Sequence, residues 1–330
     1  MTELAADIGW LILGLTFLFF GADWLVKGAA SLSIRVGLTP LIVGLTVVAF
    51  GTSAPELLVS LQANLEDPPK GGFALGNVIG SNICNIALIL GVAAMIRPIK
   101  VHRQVLSRDF PIMLVITIFF VWALRDQAIS TMEGAMLVIT LLIYIFKSIR
   151  NGLKSDEEPD LDGLDEEEIQ AAKNATGTKV LFYLFLIIIG LVVLGIGANR
   201  LIHGGVGIAS YLGVPDIIIA LTLVSLGTSL PELATSIIAS MKKQGDIIVG
   251  NVVGSNIFNI LAVIGITALV APLSSDEINP TDLWVMTGLT VLTLPMLWTS
   301  KKLGRVEGGI LLAIYTGYIA YIFMSGNSPS

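Results

Sequence analysis

Two short stretches that occur twice set the first constraint on this chain. Gly51-Thr52-Ser53-Ala54-Pro55-Glu56-Leu57 recurs as Gly227-Thr228-Ser229-Leu230-Pro231-Glu232-Leu233, identical at six of seven positions. Gly76-Asn77-Val78-Ile79-Gly80-Ser81-Asn82-Ile83-Cys84-Asn85-Ile86 recurs as Gly250-Asn251-Val252-Val253-Gly254-Ser255-Asn256-Ile257-Phe258-Asn259-Ile260, identical at nine of eleven. Weaker echoes link Gly21-Ala22 with Gly197-Ala198 and Glu133-Gly134 with Glu307-Gly308, always 174–176 residues apart. Self-similarity at one offset marks a duplicated architecture. The 330 residues are two copies of one unit.

The solvent of that unit follows from composition. Apolar residues make up 54% and charged residues 13%, with a mean hydropathy of +0.85. Soluble domains carry about 25% charged residues, so a soluble globular protein and a disordered chain are both excluded. Ten apolar segments are each long enough to cross a bilayer, which takes about 20 residues. They run roughly over 8–30, 39–63, 73–96, 106–124, 130–149, 179–210, 215–240, 247–271, 281–299 and 306–324. Five segments per half is an odd number, so the second half enters the membrane from the opposite side. The expected fold is an all-α membrane protein: ten transmembrane helices as two inverted-topology five-helix repeats. The first repeat spans 1–150, an acidic linker 151–178, and the second repeat 179–330. Inverted repeats of this kind build secondary transporters with substrate sites at the midplane.

Lys and Arg in the connections orient the spans. With the N-terminus outside, 16 of the 19 basic residues fall on the inner side, leaving Lys70, Arg125 and Arg200 outside. The expectation is a multi-pass protein of the cell membrane with both termini outside and the 150–178 loop cytoplasmic. Glu3 and Asp7 stand where a signal peptide has basic residues, so the first segment is expected to stay in the membrane. The net charge of -6 reflects nine acids between Asp156 and Glu168. With one cysteine, Cys84, no intrachain disulfide can form.

The repeated motifs carry the chemistry. Glu56 and Glu232 fall in the middle of the second and seventh segments, where an ionised carboxylate is costly unless paired. No Lys or Arg lies in the neighbouring motifs, so a bound cation is the natural compensation. Pro55 and Pro231 lack an N–H, which frees the carbonyl four residues earlier and breaks each helix. Broken backbone at this depth is tolerated where it is buried in protein or lines a cavity. Thr52 and Ser53 share a helical face with Glu56, as Thr228 and Ser229 do with Glu232. Ser81 and Asn85, and Ser255 and Asn259, are four apart in the adjoining segments. Such an all-oxygen set suits hard cations such as Ca²⁺ rather than zinc or copper.

On these motifs the chain resembles the cation/calcium exchanger superfamily, specifically sodium/calcium exchangers of the prokaryotic type. The two signature repeats of that family look like Gly51–Ile86 and Gly227–Ile260, and the resemblance covers the whole ten-span layout. It implies a secondary active antiporter that exchanges Na⁺ for Ca²⁺ by alternating access, commonly three for one and therefore electrogenic. It implies that Glu56 and Glu232 are the central Ca²⁺-binding carboxylates. Thr52, Ser53, Thr228, Ser229, Ser81, Asn85, Ser255 and Asn259 would complete the metal cluster. Asn259 stands where potassium-dependent members carry an Asp, which argues for K⁺ independence. A frequent acid before the glycine-asparagine pair is Asp246 in the second repeat but Gly72 in the first.

The bilayer and the two ions are the expected partners, with no cofactor, nucleic acid or obligatory protein partner. A Ca²⁺/H⁺ or other cation/H⁺ exchanger is the alternative, because a buried Glu can release a cation by protonating. An intramembrane enzyme lacks a nucleophile–His pair, and a channel fits broken midplane helices in inverted repeats less well than a carrier. The remaining polar residues have plainer expectations. Asp23 should pair locally with Lys27, Glu133 and Glu307 should stand near helix starts, where the dipole favours a negative charge, and His102 and His203 should sit at membrane boundaries. The acidic loop reads as a solvated linker rather than a Ca²⁺ sensor, and the glycine-rich segments 21–37 and 190–213 read as close helix contacts.

Overall fold

The structure, a computed structural model, describes residues 2–153, 165–212, 225–276 and 278–326. Its helices in chain order are α1 (Thr2–Val36), α2 (Pro40–Asn64), α3 (Gly71–Ile96), α4 (Val105–Asp126), α5 (Thr131–Gly152), α6 (Glu166–Lys173) and α7 (Gly177–Tyr211). They continue as α8 (Leu230–Met241), α9 (Gly245–Val270), α10 (Pro280–Ser300) and α11 (Arg305–Gly326). Among the described residues, eight helices are long and apolar enough to cross a membrane. α10 has the length but carries Asp282 and several threonines, and the start of the expected seventh span, up to residue 224, lies outside the described residues.

Local signals place the helix ends. Thr39 accepts from the Ile42 N–H and Pro40 takes the first position of α2, where its missing N–H costs nothing. Glu133 stands in the first turn of α5 as expected, and there it also forms a reciprocal capping box with Ser130. At α11 Glu307 accepts from the Gly304 N–H at 3.0 Å, the one half of such a box that a glycine allows.

α9 is the central helix. From Asp246 to Phe258 every residue is buried. Outward faces elsewhere carry Leu58, Val115, Ile139, Phe146, Leu181 and Ile188, all exposed and suited to lipid. Since lipid tails are as apolar as leucine, close van der Waals packing and buried hydrogen bonds must hold such helices together. Small residues supply that packing. A Cβ on Gly250 would lie 2.7 Å from the Leu41 carbonyl oxygen and 2.9 Å from the Gly44 Cα. α2 and α9 therefore cross backbone to backbone.

α1 and α7 form a second seam. Gly14, Gly21 and Gly28 repeat every seven residues in α1, and Gly190, Gly197 and Gly204 do so in α7. Gly14 abuts Leu201, Gly21 abuts Leu194 and Gly28 abuts Ile187, so the two helices run antiparallel. The expected close contact of the glycine-rich segments is present.

Contacts between the halves are reciprocal. Gly91 in α3 packs on Gly308 in α11, and the repeat-related Gly265 in α9 packs on Gly134 in α5. Two antiparallel strand pairs repeat the pattern. β1 (Ile99–Lys100) pairs with β4 (Lys302–Leu303), and β2 (Ala128–Ile129) pairs with β3 (Leu273–Ser274).

One local expectation fails. Asp23 does not pair with Lys27; it pairs with Lys242 at the end of α8, while Lys27 reaches Glu168 at 3.8 Å. Neighbouring helices offered each group a partner closer than the one on its own helix. Glu168 also completes a capping box with Asp165 at the start of α6, whose Ala172 is buried, while Arg35 of α1 donates to the Ala175 carbonyl at 2.8 Å. That end of the acidic linker is thus docked on α1; its residues 154–164 lie outside the described residues.

The α2–α9 crossing yields a stability test. Gly250→Val should cost about 1–3 kcal/mol or more through overpacking, whereas Gly288→Ala, with open space around it, should change little. Thermal unfolding of the two detergent-solubilised variants measures the difference.

Candidate functional site

The breaks of α2 and of the segment leading into α8 have the same geometry. Helix stops at Thr52 and resumes at Ala54, with Ser53 at φ -82° and ψ 3°. A turn of helix at Ser225–Gly227 precedes α8, with Ser229 at φ -87° and ψ 5°. Pro55 and Pro231 occupy the first turns of the resuming helices, so the proline sits where no donor is needed. Glu56 and Glu232 therefore also stand in a first turn, where a negative charge meets the positive end of the helix.

The two motifs then meet crosswise. Ser53 donates to Glu232 Oε1 at 3.3 Å, and Ser229 donates to Glu56 Oε1 at 3.4 Å. Each carboxylate is held by the serine of the opposite half. Ser81 from α3 also donates to Glu56 Oε1 at 3.4 Å. Thr52 donates to Asn251 Oδ1 at 3.1 Å and lies 3.4 Å from Ser255 Oγ. Thr228 reaches Asn77 Oδ1 at 3.4 Å, the repeat-related contact. Glu56, Glu232, Thr52, Ser53, Ser229, Ser81, Ser255, Asn85 and Asn259 are all buried, and Thr228 is half-buried.

These bonds leave much unsatisfied. Oε2 of Glu56, Oε2 of Glu232, Oδ1 and Nδ2 of Asn85 and Oδ1 of Asn259 are buried without a hydrogen-bond partner among the described residues. No Lys or Arg nitrogen among the described residues lies within ion-pair distance of either glutamate, and no group of three or more His, Cys, Asp or Glu is found. Burying an ionised carboxylate costs several kcal/mol per ion. A hydrogen bond to a charged group returns about 1.5–3 kcal/mol, and bonds of 3.3–3.4 Å lie beyond the usual O–H···O range. Hydroxyls alone do not offset two charges here. A cation held by these oxygens, or protonation, would.

The sequence reading passed over the asparagines that lock the cluster. Asn77 donates to the Glu56 carbonyl at 3.2 Å and to Ser60 Oγ at 3.0 Å, and Asn251 donates to Ser236 Oγ at 3.5 Å. Asn259 donates to Asn82 Oδ1 at 3.0 Å, across the halves. Their signal was in plain view: Asn77/Asn251, Asn82/Asn256 and Ser60/Ser236 are identical between the repeats and polar inside apolar segments. A second missed feature is backbone. π-helical turns run over Cys84–Ile89 and Asn259–Ile264, opening α3 and α9 beside Asn85 and Asn259. Such turns concentrate at functional positions.

Asp246 is not in the cluster. It lies at the start of α9 with Oδ1 3.3 Å from His102 Nε2. Its repeat counterpart Gly72 and the counterpart of His102, Asp276, do not re-create that pair, so the asymmetry lies at the start of α9 and not in the cluster. Cys84 is buried beside the site, and its counterpart Phe258 stacks with Phe50 at 5.7 Å between ring centroids.

An oxygen cluster closed inside apolar helices that present leucine and phenylalanine outward defines a multi-pass membrane transport protein, not an enzyme. The comparisons agree. The model of the family described as sodium/calcium exchanger protein matches residues 7–150 and 182–324. The chain belongs to that family. It is 37% identical to CaxA of Alkalimonas amylolytica, over 96% of this chain and 98% of that one. It is 32% identical to the sodium/calcium exchanger MaX1 of Methanosarcina acetivorans, over 95% and 97%. The solved structure of the sodium-calcium exchanger NCX_Mj soaked with Na⁺ and Sr²⁺ superposes with a TM-score of 0.82 at 32% identity, over 97% of this chain and 99% of that one.

Asn77 gives a test of how the cluster is braced. Asn77→Ala should cost about 1–3 kcal/mol, because buried acceptors lose their donor. Ser60→Ala should add little in that background, since the two share one bond. A double-mutant cycle on thermal unfolding reads the coupling.

Proposed function

We propose that the chain is a secondary active antiporter that exchanges Na⁺ for Ca²⁺ by alternating access, electrogenic and independent of K⁺. The observation that carries this reading is the crossed pair: two buried carboxylates, each tied to the opposite half, each with an unmatched oxygen. Glu56 and Glu232 are the Ca²⁺-binding carboxylates. Thr52, Ser53, Thr228, Ser229, Ser81, Asn85, Ser255 and Asn259 supply further oxygens. Ca²⁺ takes about six to eight oxygens in flexible geometry, and this set is large and adaptable enough.

Charge explains the coupling. One Ca²⁺ neutralises two carboxylates, and two or three Na⁺ also suffice. Either load lets the site face a low-dielectric barrier; the empty, doubly charged site does not cross it. That MaX1 and NCX_Mj are named sodium/calcium exchangers supports Na⁺ as the counter-ion.

The same reading includes ten spans in two inverted repeats, 1–150 and 179–330, with 151–178 as a cytoplasmic linker and both termini outside the cell membrane. Two features support it. α1 and α7, the first helices of the two halves, run antiparallel. The strand pairs join only connections that this topology puts on one membrane face: 99–100 with 302–303 inside, and 128–129 with 273–274 outside.

Radiolabelled Ca²⁺ uptake into proteoliposomes under imposed Na⁺, K⁺ or H⁺ gradients tests the function. The Na⁺ gradient should drive uptake and the K⁺ gradient should not; uptake driven by H⁺ alone would replace Na⁺ exchange with proton exchange. Glu56→Gln and Glu232→Gln should each abolish uptake in protein that still elutes as a folded species. Near-normal flux in either variant would falsify its assignment. Exchange of three Na⁺ for one Ca²⁺ moves one net charge, worth about 2.3 kcal/mol per 100 mV. Uptake should therefore respond to an imposed membrane potential.

A further inference from the structure

Several contacts occur once in each half. Thr52 with Asn251 and Thr228 with Asn77 are one contact made twice, and so are Ser53 with Glu232 and Ser229 with Glu56. Where α3 meets α9 the halves differ. Asn259 of α9 donates through Nδ2 to Asn82 Oδ1 of α3 at 3.0 Å. Asn85 matches Asn259 and Asn256 matches Asn82, so the counterpart bond would run from Asn85 Nδ2 to Asn256 Oδ1. It is not made. Asn85 Nδ2 and Asn256 Oδ1 are both buried, and both lack a hydrogen-bond partner among the described residues. The helices do touch at this point, because Asn82 Nδ2 also reaches the Asn256 carbonyl at 3.4 Å. Asn256 uses its own Nδ2 on the Val252 carbonyl at 2.8 Å, which leaves Oδ1 over. A buried donor and a buried acceptor thus stand unpaired at the two positions whose counterparts pair, and each unpaired group costs about 1–3 kcal/mol.

Two further differences lie on the same helices. Ser81 donates to Glu56 of its own half, whereas its counterpart Ser255 lies 3.4 Å from Thr52 of the other half. Gly76 is exposed and Asn77 and Gly80 are half-buried, while the matched Gly250, Asn251 and Gly254 are buried. A Cβ on Gly76 would meet the tip of Ile278 at 3.9 Å, where one on Gly250 would strike the Leu41 carbonyl oxygen. One face of α3 is open and the matching face of α9 is shut.

Halves of one design that differ in this way have a second arrangement, in which each takes the form the other has here. We propose that Asn82 and Asn256 are positioning residues that act in turn: Asn82 holds Asn259 in the state seen here, and Asn256 holds Asn85 in the exchanged state, where Asn259 is released. Each bridge ties up one of the two asparagines assigned to the ion cluster and frees the other. A bond made in one state alone biases the population toward that state. This inference rests on the alternating-access reading given above.

Hydrogen–deuterium exchange of the full chain in detergent, read by mass spectrometry, follows the two states without any transport. Amide exchange across 250–254 reports the population in which that face of α9 is open. Asn82→Ala removes the bridge of the state seen here and should speed this exchange about fivefold, the worth of one hydrogen bond. Asn256→Ala removes the bridge of the exchanged state and should slow it about fivefold. The two substitutions combined should return the rate toward that of the wild type. A bracing role alone would loosen the packing and speed exchange in both single variants. The proposal is overturned if both shift 250–254 in the same direction, or if either leaves it at the wild-type rate. Where an alanine variant does not fold by its melting curve, Asn82→Ser or Asn256→Ser, too short to bridge, decides in its place. A position at which neither replacement folds is a brace, and that result overturns the proposal as well. Ca²⁺ uptake is no part of the readout, so failure of the exchanger reading and failure of this one are separate results.

Discussion

A negative charge in a medium that cannot solvate it is the condition around which this molecule is arranged. Glu56 and Glu232 are fully buried among helices whose outer faces are apolar. Neither has a basic side chain beside it among the described residues. The groups that bond their side chains are neutral hydroxyls, Ser53, Ser229 and Ser81, with threonines and asparagines bonded around them. Such groups orient a charge without cancelling it. What such groups leave undone, a cation or a proton would supply.

Duplication is what makes that arrangement possible. In each half the motif serine, Ser53 or Ser229, bonds the other half's carboxylate rather than its own, and within the first half Ser81 alone reaches Glu56. Only when the second half is laid against the first does each serine find a carboxylate. The glycines at the α2–α9 crossing then allow the backbones close enough for hydroxyls to bridge the halves. Packing and polar chemistry are here one constraint: enlarge Gly250 and the distances that define the cluster shift with it.

Much of this was legible in the residues. Repetition of Gly-Thr-Ser-X-Pro-Glu marked the carboxylates, and proline in an apolar segment marked the breaks. Helix starts near Glu133 and Glu307 were legible from the dipole's preference for negative charge. Other features were not legible, for physical reasons. Asp23 and Lys27 have ideal spacing for a local pair, yet Lys242 and Glu168 compete from other parts of the chain, and long side chains go to the partner that tertiary structure brings nearest. The π-helical turns at Asn85 and Asn259 depend on what packs around α3 and α9, which periodicity does not encode. The bracing role of Asn77 and Asn251 was hidden because attention to charge passes over neutral amides.

The strand pairs, four residues each, reach further than their size suggests. β1 and β4 bind the connection after α3 to the one before α11; β2 and β3 bind the connection after α4 to the one after α9. Six helices, α3, α4, α5, α9, α10 and α11, are thereby latched together at their ends, and α2 is pressed into this chassis at Gly250. α1 and α7 have no such latch among the described residues and meet along a smooth glycine track. Among the described residues, that pair stands outside the strand-tied frame of six helices.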